Sequence, residues 1–127
     1  MRTSVVIALV VLAVVIVGGV LTESAMQRVA DRYVSAAEEL RALVTAGAWT
    51  QAGEAAQAYA ADWEDRVPAL QMLINHDDTD DVTMALALLR SAIEAQDIPG
   101  CLEACAQLRE NALHLHHRDA FTLANVL

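Results

Sequence analysis

The chain has 127 residues, enough for one small domain, and 56% of them are hydrophobic. It carries eight arginines, no lysine and 17 acids, a net charge of −9. Setting aside residues 1–22 leaves seven of those arginines against all 17 acids, a net charge of −10, so nucleic acid and anionic headgroups are repelled and no DNA or RNA partner is expected.

The hydrophobic excess sits in one place. Residues 5–21, "VVIALVVLAVVIVGGVL", hold no charge, and Thr3, Ser4 and Thr22 extend the uncharged stretch to 20 residues. As a helix that is about 30 Å, the thickness of a hydrocarbon core. Residues 1–22 are therefore predicted to be an N-terminal transmembrane anchor. The alternative, a cleaved leader, has only Arg2 and the amino terminus as its positive end. Cleavage before Met26 would put Glu23 where a small residue is wanted, although cleavage after Gly19 is tolerable. No cysteine stands just after the span, which argues against lipid attachment. Gly18 and Gly19 either let another span pack closely or are simply tolerated. Arg2 favours an inner N-terminus; Arg28, Arg32 and Arg41 partly oppose it. The expected location is a single-pass cell-membrane protein with its C-terminal domain outside the cytoplasm.

Residues 23–127 read as helix throughout, rich in Ala, Leu, Glu and Gln with few breakers. The expected fold class is all-α, a transmembrane helix followed by an up-down four-helix bundle of two αα-hairpins. The helices are placed at about 23–46, 50–75, 79–96 and 99–117, with a tail at 118–127. Met26, Val29, Tyr33, Ala37, Leu40 and Val44 form the first apolar stripe, which continues straight out of the membrane and ends at Gly47. Thr50 is the predicted N-cap of the next helix, with Ala52, Ala56, Tyr59, Trp63 and Leu70 on one face. Pro68 is expected to kink that helix rather than end it, because Leu70, Leu73 and Ile74 resume the pattern. Val82, Ala85, Leu89 and Ile93 mark the third helix. Pro99 suits the first turn of the fourth, and the apolar tail "FTLANVL" is free to dock back on the bundle.

A weak internal repeat supports the hairpins. Shifting the sequence by 49 residues lays Leu40, Val44, Trp49, Ala52, Ala56 and Tyr59 on Leu89, Ile93, Ile98, Cys101, Cys105 and Leu108. One hairpin cannot bury its stripe alone, whereas two packed together can.

Chemistry is concentrated in "NHDDTDD", residues 75–81. A calcium loop beginning at Asp77 would need Gly at position six and Glu at position twelve, and Val82 and Leu88 stand there instead. Capping explains more. His76 is expected at the negative C-terminal end of the second helix, and Asp78 or Thr79 at the start of the third, with Asp80 and Asp81 in its first turn. The competing reading is a metal site. His114 and His117 share a helix face, and an up-down topology brings them to the end of the bundle that holds His76, Asp77 and Asp78. Cys101 and Cys105, four residues apart on one helix, lie too far apart for an unstrained disulfide and match Ala52 and Ala56 in the repeat, so they read as small core residues. Trp49, Tyr59 and Trp63 read as core anchors, and Glu38 and Glu39 as an ordinary solvated pair. No nucleophile elbow, phosphate-cradling Gly loop or H-E-x-x-H motif is present. No enzyme activity and no cofactor are expected.

The order of an N-terminal span, Trp49 and Trp63, His76 followed by Asp77 and Asp78, and a closing "FTLANVL" with Asn125 resembles a bacterial family of small single-span proteins, domain of unknown function 4363. The resemblance covers nearly the whole chain. The chain departs from the pattern in being Ala- and Arg-rich, without Lys, and in carrying Pro68 and two cysteines. The resemblance implies a membrane-anchored helical domain with no known activity, and draws attention to His76 and Asn125. The expected function is a protein-binding accessory subunit or scaffold in the cell envelope. It would contact a membrane or envelope protein, or a second copy, through Phe121, Leu123, Asn125, Val126 and Leu127, with residues 5–21 in the membrane. The alternative is a metal-binding or sensor module using His76, Asp77, Asp78, His114 and His117.

Overall fold

The computed structural model describes the backbone of residues 1–126 and the side chains of residues 1–115. Four helices follow one another: α1 Arg2–Thr45, α2 Trp49–Leu70, α3 His76–Glu94 and α4 Ile98–Val126. No strand occurs among the described residues. The first 44-residue helix is the expected span and the first stripe fused without a break. Packing begins at Gly19, which is half-buried; every large apolar side chain from Val5 to Val17 is at least half exposed. One helix is thus long and apolar enough to cross a membrane.

The other three helices and the second half of α1 make a helical bundle. α1 packs against α4 and α2, and α3 against α4 and α2. Tyr33, Leu40, Val44, Trp63, Val82, Leu89, Leu108 and Leu115 form a common core. Fully burying one such side chain stabilises by about 1.5–3 kcal/mol, which is how these helices gain what isolated helices in water lack. Cys101 and Cys105 are free and buried, 0% and 3% exposed, beside small residues such as Ala104 and Ala112. Burial pushes both thiols up, Cys105 to about 11, so neither is a thiolate at neutral pH.

The 49-residue repeat is a structural one. At the end of α1, Gly47 has φ +73°, its N–H reaches Val44 O, and Ala48 N–H reaches Leu43 O. At the end of α3, Gln96 has φ +52°, its N–H reaches Ile93 O, and Asp97 N–H reaches Ala92 O. Both are Schellman turns, and every position in the second is 49 residues on from its counterpart.

Four expectations are corrected. α2 ends at Leu70, only two residues past Pro68. Proline has no N–H to give Glu64 O and its ring crowds that carbonyl, so residues 71–74 form a loose turn closed onto Leu70 O by Leu73 and Ile74. The N-cap of α2 is Ala48, not Thr50, and it makes no side-chain bond, because the Schellman turn feeds the chain directly into the next helix. α3 begins at His76, three residues earlier than expected, with Asn75 as its N-cap. The backbone of α4 runs to Val126 in place of a separate tail.

Candidate functional site

The His–Asp segment is the start of α3, not a junction that straddles two helices. Asn75 Oδ1 accepts the N–H of Asp77 at 3.3 Å, and Asp77 and Asp78 lie in the first turn, where carboxylates meet the positive end of the helix dipole. Carboxylates do meet that end of the helix, but they are Asp77 and Asp78 rather than the expected Asp80 and Asp81, and the cap is Asn75 rather than Asp78 or Thr79. The histidine expectation fails: His76 is the first residue of α3, at the positive end rather than the negative one. Thr79, expected as a possible cap, is fully buried; its hydroxyl donates to His76 O at 2.8 Å and accepts from Gln71 Nε2 at 3.2 Å. It locks the α2–α3 turn to the helix that follows.

The topology does bring the start of α3 to the far part of α4. Asp78, Asp81, Asn111 and His114 line one cleft of about 140 Å³. Asn111 Nδ2 donates to Asp81 O at 3.2 Å. His114 Nδ1 lies 2.7 Å from Glu110 O. A carbonyl only accepts, so Nδ1 carries the proton there, and in the neutral ring Nε2 keeps its lone pair. His76 and Asp77 are exposed and are not among the lining residues. Among the described residues no group of three or more His, Cys, Asp or Glu side chains is arranged to hold a metal ion. The side chains of His117, Phe121, Leu123, Asn125 and Val126, and the whole of Leu127, lie outside the described residues.

The most elaborate polar arrangement is one that sequence reasoning missed. Asp62 Oδ2, on α2, accepts from Tyr33 Oη at 2.6 Å, from Arg66 Nε at 2.9 Å and from Arg32 Nε at 3.0 Å. Burial works to raise the Asp62 carboxyl, but the three donors outweigh it and hold the group at about 2. Burial, then the Asp62 bond, push the Tyr33 phenol well above its ordinary value. Tyr33 has no exposed surface and stacks edge-on against Trp63 at 5.0 Å and Tyr59 at 6.2 Å. Tyr59 in turn donates to Glu39, so one member of the "ordinary" acidic pair is engaged, and Arg32 lies over the Tyr59 ring at 5.4 Å. Trp63 Nε1 donates to Thr83 Oγ1 at 2.8 Å, tying α2 to α3. Trp63 is fully buried, and Trp49 and Tyr59 pack partly buried against the core, as expected of anchors. The sequence offered one weak signal, an Asp62–Arg66 pair at i, i+4.

The surface carries a groove of about 700 Å³ between α2 and α3, where Gly53, Ala56 and Ala87 leave room between Trp49 and Arg90. Large apolar side chains stand exposed at Met72 and Leu73 in the α2–α3 turn and at Met84 and Leu88 on α3.

A helical bundle carried on a helix apolar enough to span a membrane is the class these features define. The model of the family described as domain of unknown function DUF4363 matches residues 20–126. The chain belongs to that family, and the match begins one residue after packing does. No curated protein and no solved structure matches the chain.

Proposed function

We propose that this protein is a single-span membrane protein whose outer domain, an up-down four-helix bundle of two αα-hairpins, acts by binding rather than by catalysis. Its role is that of an accessory subunit or scaffold for another envelope protein, with the bundle outside the cytoplasm. The carrying observation is the unbroken α1. Thirteen large apolar side chains between Val5 and Leu21 are each more than half exposed on all sides of that helix. Moving each from water into hydrocarbon is favourable by about 1.5–3 kcal/mol, a total larger than the roughly 5–15 kcal/mol of a domain's net stability. A bilayer supplies that hydrocarbon. The antiparallel course of α2 beside α1, supported by the Tyr33–Asp62 and Tyr59–Glu39 pairs, fits the up-down arrangement.

The competing reading is a metal-binding or sensor module. It draws on the cleft shared by Asp78, Asp81 and His114 and needs His117 as a further donor. Gentle detergent extraction of the full-length protein from its native membrane, with identification of what co-purifies, separates the two. The expected outcome is one stoichiometric membrane partner, lost when residues 121–127 are deleted. A protein that emerges alone overturns the accessory-subunit reading and leaves the cleft as the site to pursue.

A further inference from the structure

The α2–α3 turn pushes its two largest apolar side chains outward. Met72 is 86% exposed and Leu73 52%, side by side, while their neighbours Leu70 and Ile74 pack on the core and hold the turn in place. The turn also pairs its own N–H groups. The N–H groups of Gln71, Met72, Leu73 and Ile74 donate to Val67, Ala69, Leu70 and Leu70 carbonyls at 2.9–3.3 Å. With its donors already paired, such a turn loses less on approaching the headgroup region than an open loop, and its carbonyls can stay hydrated there.

Its height on α1 follows from the register. Arg32 and Tyr33 face Asp62. From Asp62 to the end of α2 at Leu70 is about 12 Å of helix, and the same distance back along α1 reaches Ser24 and Ala25. The turn lies just beyond, level with Thr22 and Glu23, where the apolar run of α1 stops. We propose that Met72 and Leu73 enter the headgroup–acyl boundary of the bilayer that α1 crosses, so that the bundle rests on the membrane at two points. The contact rests on the reading of residues 5–21 as a span. The charge beside it selects the lipid. Asp77 and Asp80 are exposed at the start of α3, and Glu23 is half-buried on α1. Zwitterionic headgroups fit this surface and anionic ones do not.

The test uses the full-length protein in phosphatidylcholine vesicles, with a polarity-sensitive fluorophore on a single introduced cysteine and nitroxide-bearing phosphatidylcholine as quencher. The native cysteines are buried and protonated, and the labelled wild type serves as the blank. Three sites are compared: Met72→Cys in the turn, Leu12→Cys in the span, and Glu103→Cys, exposed near the opposite end of the bundle. A side chain about 5–10 Å into the interface should be quenched by a shallow nitroxide at least about threefold more than one in water. Quenching of Leu12→Cys by a nitroxide placed deep in the acyl chain, and of Met72→Cys by the shallow one, with neither reaching Glu103→Cys, is the expected result. Quenching at Leu12→Cys alone overturns the two-point contact and leaves the span intact. No quenching at Leu12→Cys removes the span, and the inference with it.

Discussion

Asp62 shows how much of this bundle rests on one oxygen. Three donors from two helices converge on it, and two of them are arginines only part-buried, at 46% and 40% exposed. Such surface pairs contribute little alone; the hydroxyl of a fully buried Tyr33 contributes more, because without Asp62 it would keep only the longer contact to Tyr59 O, at 3.3 Å. The carboxyl is held at about 2 against an ordinary 3.8. A depressed acid stabilises the fold above its unfolded value and loses that contribution as pH falls through its folded one. The window is therefore pH 4 to 2. Urea unfolding at those two pH values should show the wild type losing about 1–2 kcal/mol more than Asp62→Asn, allowing for the 27% exposure of the side chain. Equal losses would mean the bonds to Asp62 are not maintained in solution. Beyond the Asp62–Arg66 step, none of this network was legible from residue order. Tyr33 and Asp62 are 29 positions apart, and only the register of α1 against α2 makes them neighbours.

The two hairpins solve one turn problem with different residues. Gly47 adopts a left-handed conformation without penalty; Gln96, its counterpart, adopts it against the clash between Cβ and backbone. Gln96→Gly should raise stability by about 1 kcal/mol, read as a higher urea midpoint with unchanged slope. Gly47→Ala should lower it by a similar amount. The repeat was visible in the sequence because Leu40 and Leu89, and Ala56 and Cys105, fill equivalent core positions of the same size class. The second turn was not marked, since glycine is the usual sign and it is missing. The start of α3 was placed three residues late for a related reason. His76, Asp77 and Asp78 draw the eye as ligands, while the cap is the plainer Asn75 before them. At Pro68 the apolar pattern was trusted over the missing amide, and the missing amide decided where α2 stops.

At the scale of the molecule, α1 belongs to two environments. Its first eighteen residues are all exposed, and Gly19 is the first that is half-buried. Deleting residues 1–18 should leave the melting temperature of the bundle unchanged within about 2 °C, since no packed contact is removed, and should move the protein to the aqueous fraction. A large drop would mean that the apolar segment supports the bundle directly. The long apolar helix and the all-helical class were both readable from the uncharged run at 5–21 and the apolar spacing after it. What brought Asp78 and His114 to one cleft was the order of the helices, which the hairpin repeat implied and no motif near either residue did.

The absence of a hinge between residues 2 and 45 makes α1 a drive shaft. A flexible linker would let the bundle face any direction; in the proposed single-span arrangement, a continuous helix fixes its compass bearing to that of the span. Each residue added at the membrane boundary turns the bundle by about 100° and raises it by about 1.5 Å. Seven residues raise it by about 10 Å while returning it nearly to the same bearing. Height above the membrane and direction of facing are thus separate variables in this architecture. A partner that reads the bundle's side faces will sense a change of direction, whereas the Met72–Leu73 turn will sense a change of height.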